Sequence, residues 1–372
     1  MLASQIHKRI NFNFEKQKLI FDTSQELFSF AKVDEGTKEL LNSLRKNLKL
    51  NYENVLDLGC GYGPIGIFIK KKYANSNVLC TDRDSLAVEF SGHNAKLNNV
   101  KINSEPFLDF ENIKEKFSLI LTNFPAKLEK EGLEYFISRS SEFLEKEGTL
   151  ALVIVKELEI FMEEILKNEN IKVSFRQKTK NYFVYHLTFE EIIKTGKSPY
   201  IQNEITFNIE NNIYPILTSN ALQEFDTPHF ITELIMEKLL KKEFNKYKNI
   251  LVINPGQGFL PLAVVHNCSR DKIILVSRDL LQLKLSEENL KLNAINNSEN
   301  INSDFPQNKG DLLIWSLRDE IAQEVLEKIV VFKNNFKKII LGGRIQVINR
   351  ITKALKIEPK KEIMGKYCVI EL

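Results

Sequence analysis

Val55-Leu-Asp-Leu-Gly-Cys-Gly-Tyr-Gly-Pro-Ile-Gly66 is the stretch on which the reading of this chain turns. Asn54-Val-Leu-Asp-Leu58 has the length and apolar content of a short buried strand, and Pro64-Ile-Gly-Ile-Phe-Ile-Lys-Lys71 predicts a helix. Between them lie Gly59, Cys60, Gly61, Tyr62 and Gly63. Glycine tolerates positive φ and lets a backbone approach a ligand closely, so a strand that breaks into glycines before a helix predicts a ligand-holding loop. Gly61-Tyr-Gly-Pro-Ile-Gly66 also fits the dinucleotide pattern G-x-G-x-x-G, in which the helix terminus holds a pyrophosphate. Asp57 argues against that use, because a carboxylate beside the loop repels pyrophosphate and suits an ammonium group. The methionine part of S-adenosylmethionine carries such a group, so the loop points to a methyltransferase over a dehydrogenase.

Working outward, Asn77-Val-Leu-Cys-Thr-Asp82 predicts the next strand, with Asp82 and Arg83 at its end. A carboxylate there can accept both hydroxyls of a ribose. Asp84 is the expected N-cap of a helix over Ser85 to Asn98. Asp109, in Phe107-Leu-Asp-Phe110, is a candidate partner for an adenine amino group, with an ordinary turn aspartate as the rival reading. Phe117-Ser-Leu-Ile-Leu-Thr-Asn123 predicts a strand that runs into Phe124-Pro-Ala126. An exocyclic base amine is a poor nucleophile, because its lone pair is conjugated with the ring. The Asn123 side-chain oxygen and the Phe124 carbonyl can accept its two N–H bonds, with Pro125 shaping the turn. A helix over Gly132 to Leu144 and a strand over Thr149 to Val155 complete an alternation that implies a largely parallel sheet covered on both faces.

The chain also repeats itself. Ile10-Asn-Phe-Asn-Phe-Glu15 and Ile205-Thr-Phe-Asn-Ile-Glu210 alternate alike at an offset of 195 residues (205 − 10). The same offset aligns Thr23-Ser24 with Thr218-Ser219 and Asn94-Ala-Lys-Leu-Asn98 with Asn289-Leu-Lys-Leu-Asn293. Tyr182-Phe-Val-Tyr185 resembles Tyr367-Cys-Val-Ile370 near the two ends. Several matches in one order indicate an internal duplication. The polar stretch Ile193-Lys-Thr-Gly-Lys-Ser-Pro-Tyr200 marks the boundary, giving domains 1–194 and 195–372.

Over roughly residues 10–190 the chain resembles the methyltransferase small-domain family, which includes ribosomal RNA guanine-N2 methyltransferases of the small subunit. The pieces that carry the likeness are Leu27-Phe-Ser29, Val33-Asp-Glu-Gly-Thr37, the loop Asp57 to Gly63, Asp82, and Thr122-Asn-Phe-Pro125. The resemblance implies a tandem of two Rossmann-like α/β domains, each a mostly parallel seven-stranded sheet. It also implies Asp34, Gly36 and Thr37 near the methionine end of S-adenosyl-L-methionine, and a guanine of ribosomal RNA as substrate. One departure stands out. The family's Asn-Pro-Pro followed by a bulky residue is Asn123-Phe-Pro-Ala126 here, so Ala126 takes the place of the residue facing the target base and Phe124 becomes the alternative stacker. Adenine N6 or a protein glutamine would suit the same acceptor pair, and a non-catalytic RNA-binding or assembly protein is the reading from another class.

In the second half the corresponding stretch is Val252-Ile-Asn-Pro-Gly-Gln-Gly-Phe-Leu-Pro261. Matching glycine to glycine makes Asp57 into Asn254 and Gly63 into Leu260; the 195 offset makes Asp82 into Ser277, and Asn123-Phe-Pro maps near Ser316-Leu-Arg318. This half is expected to have lost catalysis and kept its packing. It then serves RNA docking or stabilisation; Lys238, Lys241, Lys242, Lys246, Lys248, Arg278, Arg318 and Arg344 are candidate phosphate contacts. The formal charge of +3 on 372 residues neither demands nor excludes a nucleic acid. Four dispersed cysteines without a C-x-x-C pair argue against zinc and for a reducing compartment. No apolar leader and no long apolar run are evident, so a cytoplasmic protein without a membrane span is expected.

Overall fold

The computed structural model describes residues 2–47, 52–241, 244–268, 272–303, 306–318 and 322–372. Two compact units emerge, Met1–Pro199 and Tyr200–Leu372. In the first, strands β1 (Lys8–Phe14) and β2 (Gln17–Thr23) form an antiparallel hairpin, followed by helix α1 (Glu35–Asn47). Then come β3 (Asn54–Leu58), α2 (Pro64–Lys72), β4 (Asn77–Asp82), α3 (Ser85–Leu97), β5 (Asn103–Pro106), β6 (Phe117–Asn123), α4 (Glu129–Phe143), β7 (Leu144–Val155), α5 (Glu159–Ile165), β8 (Ile171–Lys178) and β9 (Tyr182–Phe189). The seven-stranded sheet has the order β5-β4-β3-β6-β7-β9-β8. Its first five strands run parallel, and β9 and β8 join antiparallel.

This order fixes where a ligand can sit. From β3 the chain steps outward through β4 and β5, then crosses back to the other side of β3 as β6. The loops after β3 and β6 therefore diverge and open a crevice at the strands' carboxyl ends. The strands earn their central places by being apolar on both faces: Val55, Leu56, Leu119, Ile120 and Leu121 are all buried. The β1–β2 hairpin closes one face, with the Phe14 ring edge-on to Phe68 of α2 at 5.2 Å.

The second unit repeats the plan. Its elements are β10 (Asn203–Ile209), β11 (Asn212–Thr218), α6 (Phe230–Leu239), β12 (Asn249–Ile253), α7 (Phe259–Asn267), β13 (Lys272–Ser277), α8 (Leu280–Leu292) and β14 (Ser298–Asn302). They continue as β15 (Gly310–Ser316), α9 (Ala322–Asn335), β16 (Phe336–Arg344), α10 (Ile345–Leu355), β17 (Glu362–Met364) and β18 (Tyr367–Glu371). The sheet order β14-β13-β12-β15-β16-β18-β17 is that of the first unit, element for element.

The repeated asparagines explain the sharing. Asn94 Oδ1 accepts from Asp22 N at 2.8 Å, while Nδ2 donates to Asp22 O at 3.0 Å and Tyr62 O at 2.9 Å. Asn289 makes the same three bonds to Leu217 N, Leu217 O and Gln257 O. Asn98 and Asn293 extend the clamp to Ile20 O and Pro215 O. One buried side chain thus ties the hairpin and the glycine loop to the following helix in each unit.

Most predicted elements lie where expected, among them β3, β4 and β6 at the predicted residues. Helix α4 starts at Glu129 instead of Gly132, since Glu129 and Glu131 favour a helix N-terminus. Replacing Asn94 by Ala removes three buried hydrogen bonds, at about 1 kcal/mol each. The expected outcome is a stability loss of about 2–3 kcal/mol, read as a lower urea midpoint.

Candidate functional site

The loop after β3 is pinned from two sides. Gly59 N and Cys60 N both donate to Thr81 O at 2.9 Å, which carries the chain across the end of β4. Asp82 Oδ2 accepts from Gly61 N at 3.0 Å and Oδ1 from Asp84 N at 2.9 Å. Asp57 lies beneath the loop, fully buried, and its Oδ2 accepts from Gly66 N in the first turn of α2 at 2.8 Å. Its other oxygen, Oδ1, is buried without a hydrogen-bond partner. Burial, reinforced by nearby Asp82, pushes the Asp57 carboxyl up to about 7 although the Gly66 bond pulls the other way.

Gly59 and Gly61 have φ of +74° and +54°, and a Cβ added at either would meet no atom within 4 Å. Open space therefore faces this stretch of backbone: it is a cradle, shaped by conformations that side chains resist and left unfilled by the fold. Cys60 points the other way, 3% exposed, its thiol held up by a hydrogen bond with Cys80 and by burial. A thiol so protonated is no nucleophile.

Asn123 sits across the crevice at the end of β6. Its Nδ2 donates to Asp34 Oδ2 at 2.8 Å and to Thr37 Oγ1 at 3.2 Å. Both amide protons are thereby assigned, and Oδ1 is left as an acceptor of fixed direction. Asp34 Oδ2 also accepts from Thr37 N at 3.2 Å, so one carboxylate caps α1 and orients Asn123. Gly36 is required here by contact: a Cβ would come within 2.9 Å of Asp34 Oδ2 and 3.0 Å of the Tyr182 ring. The fold thus gathers Asp34, Gly36, Thr37 and Asn123 at one place and Gly59, Gly61, Asp82 and Arg83 at the other. Gly63 is the N-cap of α2, and Asp109 follows β5, where Phe107 N donates to Asp82 O at 3.1 Å.

Phe124 corrects one expectation. Its ring is 3% exposed and packs edge-on against Phe136 at 5.4 Å, so it is no stacking surface for a base. Its carbonyl remains at the turn, followed by exposed Pro125 and Ala126. Among the described residues of this unit the exposed aromatic is instead Phe28, 76% accessible on the β2–α1 connection. The Tyr62 hydroxyl reaches carbonyls of that same connection, at 3.5 Å from Ser29 O and 3.4 Å from Lys32 O. Sequence reasoning passed over Tyr62, Tyr182 and Phe28 as site residues; the signal available was the pairing of Leu27-Phe-Ser29 with the helix start at Val33.

The second unit's loop differs from the expected alignment. Helix α7 is capped by Gly258 as α2 is by Gly63, and Asn254 is left-handed at φ +57° where Gly59 is. Asn254 therefore replaces Gly59, and Asp57 corresponds to Val252; glycine-to-glycine matching had slipped the register by two. Asparagine takes this position because its short polar side chain tolerates αL. The cradle is also filled. A Cβ at Gly256, the counterpart of Gly61, would fall on Glu224 Oε2. Glu224 is 3% exposed; its Oε1 accepts from Thr232 Oγ1 at 2.5 Å and from the Arg318 guanidinium at 2.9 Å. Burial pushes this carboxyl up, but Arg318 and the hydrogen bonds hold it below the ordinary range.

Of the lysine run, Lys238 pairs with Glu362 and Glu371 and Lys241 with Glu362, while Lys242 lies outside the described residues. Among the described residues no His, Cys, Asp or Glu cluster could hold a metal ion, and no helix is long and apolar enough to cross a membrane.

Residues 18–186 match the family described as methyltransferase small domain. An uncharacterised Bacillus subtilis protein, YbxB, is 31% identical over 47% of this chain and 88% of its own length. Ribosomal RNA small subunit methyltransferase C of Psychromonas ingrahamii is 29% identical over 40% of the chain, which spans 43% of that relative. Among solved structures, a T. thermophilus 16S rRNA N2 methyltransferase in complex with AdoMet and guanosine matches 99% of this chain and 98% of its own, with TM-score 0.71 and 14% identity. At that identity the likeness is one of fold.

A carboxyl whose pKa is raised in the folded state costs stability once its unfolded counterpart ionises. Between the ordinary value of 3.8 and about 7, the unfolded chain has released the Asp57 proton and the folded chain has kept it, so stability falls as pH rises. Asp57→Asn abolishes that term. The stability of the variant minus that of the wild type, from urea titrations, is expected to climb from pH 4 to 7 and level off above it.

Proposed function

The chain belongs to the methyltransferase small domain family, and we propose that its first unit transfers a methyl group from S-adenosylmethionine to the exocyclic N2 amine of a guanine in ribosomal RNA. The observation that carries this reading is the open cradle at Gly59 and Gly61 facing an asparagine whose amide is already oriented. The residues present fit the cofactor. Asp82 stands at the end of β4 where a ribose would be held, Asp57 offers a buried oxygen without a partner, and Asp34 lies where a charged amino group could be met. We assign Arg83 and Asp109, which follow β4 and β5 in the chain, to the same cofactor site. When bound, S-adenosylmethionine supplies an electrophilic methyl group on a sulfonium sulfur.

The chain's own contribution is to make a weak nucleophile reactive. Asn123 Oδ1 accepts one N–H of the amine and the Phe124 carbonyl the other, which turns the nitrogen lone pair out of conjugation and toward the methyl group. Positive charge developing on that nitrogen is met by two fixed oxygen dipoles, which need no reorganisation at the moment of transfer. The amine proton is lost to solvent after the N–C bond forms. No thiol is needed, in keeping with the burial of Cys60.

In the second unit the counterparts Val252, Asn254 and Ser277 lack these groups, and Glu224 and Arg318 fill the cradle. We assign it no catalysis. The names of relatives such as ribosomal RNA small subunit methyltransferase C support ribosomal RNA as the substrate.

Asp82→Ala is expected to weaken S-adenosylmethionine binding at least tenfold by calorimetry, the loss expected when hydrogen bonds to a charged group are removed. Asn123→Ala is expected to leave that binding in place and lower kcat about 10²–10³-fold, the cost of one stabilising group. Mass spectrometry of ribosomal RNA from cells lacking the chain should show one N2-methylguanine missing. Loss of an N6-methyladenine or of a methylated glutamine instead would overturn the guanine assignment.

A further inference from the structure

The carboxyl edge of the second unit's sheet carries a surface that methyl transfer does not use. Phe230, the first residue of α6, is 54% exposed. Its ring stacks on Tyr367 at 6.1 Å with an interplanar angle of 23°, which holds it in one orientation with a face to solvent. His229 lies edge-on to the same tyrosine at 4.9 Å. Lys366 Nζ is 5.5 Å from the Tyr367 ring centroid, and Arg344 is the ladder partner of Tyr367. Lys366 and Arg344 are both exposed, and neither has an ion-pair partner among the described residues. Burial is the main reason the His229 pKa is lowered; the charges of Arg318, Lys366 and Arg344 add to it and Glu224 opposes it.

The first unit supplies an internal control. Val155 pairs with Tyr182 as Arg344 does with Tyr367, and Lys156 N donates to Asn181 O as Ile345 N does to Lys366 O. Helix α1 begins at Glu35 where α6 begins at Phe230. Glu35, Val155, Lys156 and Asn181 are therefore the counterparts of Phe230, Arg344, Ile345 and Lys366. The first set is neutral in sum; the second carries two positive charges and an exposed aromatic ring. The unit whose loop is filled by Glu224 is the one that carries this edge.

We infer that the Phe230–Arg344–Lys366 edge of the second unit is a docking surface for single-stranded RNA, a base stacking on Phe230 and backbone phosphates meeting Arg344 and Lys366. Stacking on a held aromatic ring beside unpaired cations is how single strands are bound without sequence reading. Three other candidate cations of this unit are paired with carboxylates, Arg318 with Glu224, Lys238 with Glu362 and Glu371, and Lys241 with Glu362. The choice of RNA over another polyanion rests on the RNA-methyltransferase reading above.

The test is fluorescence anisotropy of a labelled oligouridylate with the full chain, across a salt series. Phe230→Ala is expected to weaken binding about tenfold, the scale of one lost base–aromatic stack. Arg344→Gln with Lys366→Gln should reduce the salt slope by roughly 1.4, two phosphate contacts at about 0.7 each. S-adenosylmethionine affinity, measured by calorimetry, should be unchanged in both variants. Affinity and slope equal to wild type in these variants would overturn the docking surface, even with methyl transfer intact. Binding lost as predicted in a chain that methylates no RNA would instead leave the docking surface standing and remove the proposed reaction. Binding to anionic vesicles, with none to the oligonucleotide, would overturn the assignment of this surface to RNA.

Discussion

Asn94 makes one set of hydrogen bonds on which the architecture of the first unit depends. Its side chain accepts from and donates to the backbone of Asp22 and donates to Tyr62. Hairpin, glycine loop and α3 are three separate pieces of chain, and this amide gives them a common position. Each of the joined backbone groups is buried and would otherwise be unpaired, so the set is conditional: lose the asparagine and several polar groups lose their partners together. Asn289 reproduces it in the other half, down to the same three backbone partners. The two units have diverged around a shared joint, and what each does is decided by what surrounds that joint.

Around the first joint the polar groups hold the backbone and one another, and the proposed site rests on that arrangement. Asp82 holds the loop by the Gly61 amide, Asp57 holds the first turn of α2 by the Gly66 amide, and Asp34 and Thr37 hold Asn123 by its nitrogen. Several of the acidic groups thus have a structural task before any ligand arrives. The carboxylates pre-set the geometry of the backbone and of the acceptor, which is the form preorganisation takes in a site that stabilises charge by dipoles. Around the second joint the same space is closed by the Glu224–Arg318 pair, with Thr232 in the position of Thr37.

Much of this is legible in the sequence. The apolar run into glycines at Val55–Gly66, the carboxyl-end residues Asp82 and Asn123, and the 195-residue repeat are local patterns with direct physical meaning, and each led to the element now seen. Three things were not legible. Phe124 faces Phe136 because the turn after β6 runs under α4, and side-chain direction at a turn is a tertiary outcome. Glu224 and Arg318 meet across 94 residues, a pairing no local window contains. The two-residue slip in the second loop came from trusting glycines over strand length. Asn249–Ile253 and Asn54–Leu58 are both five residues long, and the repeat offset places Asn254 on Gly59. The tolerance of asparagine for a left-handed backbone was the overlooked physical clue.

The buried Glu224–Arg318 pair also bears on how reversible the divergence is. Restoring an aspartate at Val252, a glycine at Asn254 and an aspartate at Ser277 would rebuild the outline of a cofactor site, yet the space would still be occupied. Removing Glu224 alone strands a guanidinium that is largely withdrawn from solvent; removing Arg318 alone strands a buried carboxylate. Either single step lowers stability before any ligand could repay it. The pair therefore acts as a lock: the space beside Gly256 is opened only by replacing both partners together, so single substitutions leave the second unit's loop closed.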